Sequence, residues 1–275
     1  MISSFIELLP ILPGVLLAAT LGALASGLIA PYIVVKRLNM LTGSLAHALV
    51  APVGFSIWLT HTYPRFQGFS LSILLLTATA IALFISYTHL FWKQQKDALL
   101  SVIWSAGMAI GLLFLAKTPG SNVEFNDYLF GSLIWLNGQQ LTLLIVINLV
   151  TIAAILCFYK QFLLICLDED QAIIAKLPHK ILYSLLLVLI ALVIVVLMET
   201  IGLLLSMTLL TMPALIARCY SKNFIQLHIY SCITSCLMSY AGILTAAALD
   251  LPIAPTSALV GTAGYLIALS IKNRH

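Results

Sequence analysis

The chain has 275 residues, of which 62% are hydrophobic and 8% charged, with a formal net charge of +4. Soluble domains carry about 25% charged residues, so this balance excludes a water-soluble globular protein, and the lack of strand-like alternation argues against a β-barrel. The small excess of cations is scattered between apolar runs and gives no basis for nucleic-acid binding. The chain reads as an all-α, polytopic membrane helical bundle embedded in the lipid bilayer.

Apolar runs of roughly 20 residues mark membrane-spanning helices. The N-terminal segment has no basic flank and carries Glu7, so it reads as a retained first span rather than a cleaved signal peptide. That span covers about 5–35. Its small residues, Gly14, Ala18, Ala19, Gly22, Ala25 and Gly27, allow close helix contact. Lys36 and Arg37 end it. A second span is expected over 43–61, followed by the loop HTYPRFQG, a third span over 69–92 and the charged loop KQQKD. A fourth covers 99–116. The polar loop KTPGSNVEFNDYLFGS then separates it from a fifth over 141–159. A polar segment occupies 160–180. Residues 181–217 are almost entirely apolar, and Arg218 and Lys222 interrupt before a span over 224–249. The turn DLPIAP leads to a last span over 256–271.

Cytoplasmic loops carry the excess of Lys and Arg. With the N-terminus outside and the C-terminus cytoplasmic, eleven of the thirteen Lys and Arg residues face the cytoplasm, leaving only Arg65 and Lys117 outside. Both ends of 181–217 are then cytoplasmic, so the chain must cross and return. Two full crossings with a turn near 199–202 give nine spans; a re-entrant hairpin gives seven. Pro213 is expected to kink or break its helix, with Ser206, Thr208 and Thr211 satisfying the freed backbone groups.

His47 lies within the second apolar span. Ionisable groups inside a membrane are costly and usually face a bundle interior or a substrate path. It either hydrogen-bonds a neighbouring backbone carbonyl or hydroxyl, or ligates a passing divalent ion. Zinc and manganese both accept imidazole. Glu199 is the acid within the long 181–217 run, either in a path or in a wetted turn. In the 160–180 segment, Asp168, Glu169 and Asp170 precede QAIIAKLP. Acids favour a helix start, and Pro178 ends the helix. Ala172, Ile173 and Leu177 are expected to share one apolar face, suited either to a partner's groove or to an ordinary interfacial helix. The five cysteines read as small hydrophobes. His61, His89 and His228 sit near span ends, and the loop acids Glu124 and Asp127 read as solvated charges.

Several motifs together resemble the permease subunits of bacterial ABC importers for zinc, manganese and iron. Arg37 is followed after nine residues by His47-Ala48, similar to the family's Arg-x4-Gly-Asp-x3-His-Ala. Tyr128-Leu129-Phe130-Gly131-Ser132 resembles its YLFGD-type segment. Residues 167–178 resemble its cytoplasmic loop, residues 199–218 its VG-x-LLV-x-ALL-x-x-PAA-x-AR run, and Asp250-Leu251-Pro252 its D-x-P turn. The resemblance spans nearly the whole chain and implies a single permease domain, 1–275. Where the family has Gly-Asp, this chain has Thr42-Gly43.

The resemblance implies a bacterial cytoplasmic-membrane permease that moves a divalent metal ion inward, zinc foremost, with manganese and iron as the other ions. It implies no permanently bound cofactor and no catalysis by this chain, and no G-x4-GK[ST] loop occurs. The implied partners are an ABC ATPase, an extracytoplasmic metal-binding protein near 61–68, 117–134 and 250–255, and a second permease copy. The implied site residues are His47 as metal ligand, Glu199 with it on the substrate path, and Asp168, Glu169, Asp170, Ala172 and Leu177 as the ATPase-coupling segment. Rival readings are an ion-coupled secondary transporter and an ABC permease for an iron chelate or another small solute. The first would favour internal repeats and buried charges; no repeat is evident.

Overall fold

The computed structural model describes residues 12–91, 96–119, 131 and 137–272. Its regular elements are helices: α1 (Leu12–Val35), α2 (Asn39–Ala48), α3 (Val50–Thr62), a 3-10 segment (Pro64–Phe69), α4 (Ser70–Phe91), α5 (Lys96–Ala116), α6 (Gly138–Leu167), α7 (Glu169–Ile174), α8 (His179–Ile201), α9 (Leu203–Tyr220), α10 (Phe224–Leu249) and α11 (Ile253–Lys272). Among the described residues, nine segments are long and apolar enough to cross a membrane, with α2 and α3 forming one of them. The KQQKD loop falls largely outside the described residues. So do Glu7, Glu124, Asp127 and all of the YLFGS segment except Gly131.

The chain divides into two compact units. The first comprises Met1–Val35, Asp127–Leu156 and Val196–His275. Here α1 packs on α9 and α10, and α11 packs on both α9 and α10. Without a hydrophobic drive between helices in lipid, small side chains permit the contact. A Cβ on Gly27 would lie 2.7 Å from Cys232 Cα, and one on Gly242 would lie 2.5 Å from Ser257 Cβ. Ser26 and Ser235, both fully buried, share a 3.0 Å hydrogen bond across the α1–α10 seam. Asn148 on α6 donates to Leu21 O on α1 at 2.9 Å.

Pro213 does not break its helix. Helix α9 runs through it to Tyr220, and Thr234 Oγ1 on α10 donates to Pro213 O at 3.1 Å. The carbonyl that Pro213 leaves without a helix donor is that of Leu209, so the Thr234 bond is a tie between α9 and α10 and not its replacement.

The second unit comprises Lys36–Asn126 and Cys157–Val195. In it α2 and α3 pack on α5, and α3 packs on α4. Two polar rungs join α4 to the start of α8. The Ser86 and Ser184 hydroxyls are 2.7 Å apart, and one turn on Tyr183 Oη lies 2.9 Å from His89 Nδ1, with the two rings stacked. His89 is therefore more than an interfacial residue.

The apolar helix expected to end at 159 continues to Leu167. Phe158 is non-helical (φ −114°, ψ 17°) and marks a kink, but Phe162 and Ile165 beyond it are buried and carry the helix on. Three charged residues with left-handed backbone, Arg37, Lys176 and Asp250, follow α1, α7 and α10 (φ 56–59°). After two of them the next amide reaches back to the helix, Leu177 N to Ala172 O at 3.1 Å and Leu251 N to Ala246 O at 3.0 Å. This satisfies carbonyls that the helix end would leave open. All five cysteines are free thiols.

Candidate functional site

His47 sits in the last turn of α2. The helix loosens immediately after it. Pro52 has no N–H to give to Ala48 O, Leu49 opens to the edge of the right-handed helical region (φ −70°, ψ −7°), and the Val53 N to Leu49 O bond stretches to 3.4 Å. Helix α5 closes against this interruption. A Cβ on Gly107 would lie 2.5 Å from Ala48 Cα, one on Gly111 would lie 2.6 Å from Val50 C, and one on Gly54 would lie 2.9 Å from Gly111 Cα. The backbones of α2, α3 and α5 are thus in direct contact.

That approach places Trp104, one turn before Gly107, flat against the His47 imidazole. The ring centroids are 4.4 Å apart and the planes are 6° from parallel. His47 is half-buried, and its Nδ1 is buried with no hydrogen-bond partner among the described residues. The backbone-bonded imidazole weighed as one reading of His47 is therefore not what Nδ1 shows. The neighbouring Ser44 hydroxyl is occupied, donating to Met40 O at 3.0 Å. Gly43 offers no side chain, and neither α2 nor α3 contains an acid. Sequence reasoning missed Trp104. Its only signal was an aromatic residue one turn before a helical glycine.

Glu199 lies in the last turn of α8 and belongs to the first unit, whereas His47 belongs to the second. Its Oε2 is buried without a partner among the described residues, and its main-chain oxygen accepts a 3.2 Å bond from Gln140 Nε2. Gly202, immediately after α8, has φ 85° and ψ 159°, a region essentially reserved for glycine. Gly131 (φ 83°) backs onto this corner; a Cβ there would collide with Ile201 and lie 2.9 Å from Gly202 N. The glycine of the YLFGS segment thus packs on the α8–α9 junction.

The five residues read as the coupling segment form one short helix and its ends. Asp168 is the N-cap of α7; its Oδ1 accepts from Asp170 N at 3.0 Å and Gln171 N at 3.1 Å. Glu169 pairs with Lys36, whose Nζ lies 3.2 Å from Oε2 and also donates to Ile165 O at 2.6 Å. Ala172 is fully buried and Leu177 half-buried. Ile173 does not share their face. It is exposed beside the still more exposed Ile174, because successive residues on a helix point about 100° apart and only the Ala172 side faces the protein. Lys36, read from sequence as an orienting charge alone, is a structural tie that the sequence pattern did not reveal.

Among the described residues no three His, Cys, Asp or Glu side chains gather closely enough to hold a metal ion. His47 by itself offers one imidazole, suited to a passing contact and not to permanent retention.

The sequence matches the ABC 3 transport family over residues 9–272. It is 34% identical to a "Probable metal transport system membrane protein" of Chlamydia trachomatis, across 97% of this chain and 90% of that protein. It is 26% identical to the manganese transport system membrane protein MntB of Synechocystis, across 77% of this chain and 66% of that protein. The solved structure of PsaBC from Streptococcus pneumoniae in complex with Fab shares its fold, with a TM-score of 0.80 and 22% identity over 98% of this chain and 95% of that one. A helical chain with nine membrane-length apolar segments among its described residues, matched almost end to end, belongs to the ABC 3 transport family as one of its membrane-spanning permeases.

Proposed function

We propose that the chain is the permease subunit of an ABC importer that carries a divalent metal ion into the cytoplasm, zinc foremost, with manganese and iron as the other ions. The whole of 1–275 acts as one transmembrane permease domain in the bacterial cytoplasmic membrane, with its N-terminus outside. A separate ATPase hydrolyses ATP and grips the inner face at α7. An extracytoplasmic binding protein delivers the ion, and a second permease copy completes the path.

The observation that carries this reading is His47. It is a titratable side chain beside a helix interruption in an apolar span, and its buried Nδ1 lacks a protein partner. Neutral imidazole is the side chain most often used to ligate such ions. Glu199, whose Oε2 is likewise buried without a partner, supports a place further along the path. The test is uptake of radioactive zinc by the complete importer in lipid vesicles. His47→Ala should abolish uptake while assembly with the ATPase persists; undiminished uptake removes His47 from the path.

A further inference from the structure

The imidazole of His47 has an unusual support. A metal-ligating histidine is ordinarily oriented by a hydrogen bond from its second ring nitrogen to a carboxylate, carbonyl or water. Nδ1 of His47 has no such partner among the described residues, and the Ser44 hydroxyl nearby is committed to Met40 O. Its aromatic neighbour is the indole of Trp104, nearly parallel at a centroid distance of 4.4 Å.

We propose that Trp104 is a positioning residue for metal transfer at His47, holding the imidazole plane by stacking where a hydrogen bond would ordinarily hold it. This rests on the reading of His47 as a path ligand. A nitrogen lone pair lies in the ring plane, so an ion approaches the imidazole edge-on. Stacking covers one face, keeps the indole itself off the ring edges, and resists rotation of the ring out of that plane. The indole is itself held at a fixed depth, because Gly107 and Gly111 set α5 directly on the backbone of Ala48 and Val50. The remainder of Trp104 is open, with 42% of the residue exposed, so core filling does not account for it.

The experiment compares the wild type with Trp104→Phe, Trp104→Leu and His47→Ala in the complete importer, reading zinc moved per ATP hydrolysed in lipid vesicles. Leucine keeps apolar bulk and removes the aromatic face. Loss of an orienting group around a metal ligand costs about 10–100-fold, so Trp104→Leu should lower zinc moved per ATP about tenfold while ATP hydrolysis continues, and Trp104→Phe should restore most of it. Damage to the fold would lower uptake and hydrolysis together. A second measurement uses a variant with Trp58, Trp92 and Trp135 changed to Phe. Cobalt(II) should quench the emission of Trp104, and His47→Ala should remove that quenching.

If His47→Ala stops uptake but Trp104→Leu transports like the wild type, the positioning role is overturned and the His47 path stands. If His47→Ala transports normally, both fall. If Trp104→Leu does not assemble, the cobalt measurement decides, and equal quenching with and without His47 overturns the proposal.

Discussion

Lys36 and Glu169, 133 positions apart in sequence, meet at 3.2 Å, and the same Lys36 ammonium donates to the Ile165 carbonyl at 2.6 Å. The two contacts differ in weight. Glu169 is half-exposed, so its ion pair is screened and worth about 0–1 kcal/mol. The bond to Ile165 O satisfies a carbonyl in the last turn of α6, which has no donor from its own helix, and Lys36 is mostly shielded from solvent.

Lys36→Met should therefore destabilise the protein by about 1.5–3 kcal/mol, the range for hydrogen bonds to charged groups. Glu169→Gln should cost less than about 1 kcal/mol. Thermal unfolding of the detergent-solubilised protein reads both. Equal effects from the two variants would show that the ion pair, and not the carbonyl, is the important contact.

Gly202 is the second place where the chain allows little choice. Its backbone, at φ 85° and ψ 159°, belongs to glycine, and Gly131 leaves no free space on the Ile201 side. Gly202→Ala should cost about 1–3 kcal/mol, visible as lower yield of folded protein and a lower unfolding temperature. A wild-type unfolding curve would mean that the α8–α9 corner can relax into an ordinary turn.

Asp168 allows capping to be separated from partner contact. Its carboxylate is already engaged by two amides of α7. Asp168→Ala should cost about 1 kcal/mol of local stability, and Asp168→Asn should largely preserve it, because asparagine caps about as well. Hydrogen exchange over 169–174 should rise in the alanine variant alone, and metal uptake should follow the same order. Uptake lost equally in both variants would assign the charge of Asp168 to contact with a partner.

The spans were legible because lipid demands long apolar runs, and that pattern is local. The crossing and return within 181–217 followed from the charges at its two ends, and the structure supplies two helices meeting at Gly202. The end of α6 was misplaced because Lys160 and Gln161 look like a loop, whereas the buried Phe162 and Ile165 continue the helix. Pro213 looked like a break because a proline removes one helix hydrogen bond, yet α9 continues through it to Tyr220. His47 was conspicuous as a polar residue in an apolar run. Its stacking partner was not, since Trp104 lies 57 positions away and no short-range pattern links them. The Lys36 tie escaped for the same reason.

The junction at Gly202 also bears on where the protein can be engineered. A single residue separates α8 from α9, so the corner has no spare chain to absorb an insertion. The Gly202 corner is therefore unsuitable for inserted tags or reporter domains that longer loops would tolerate.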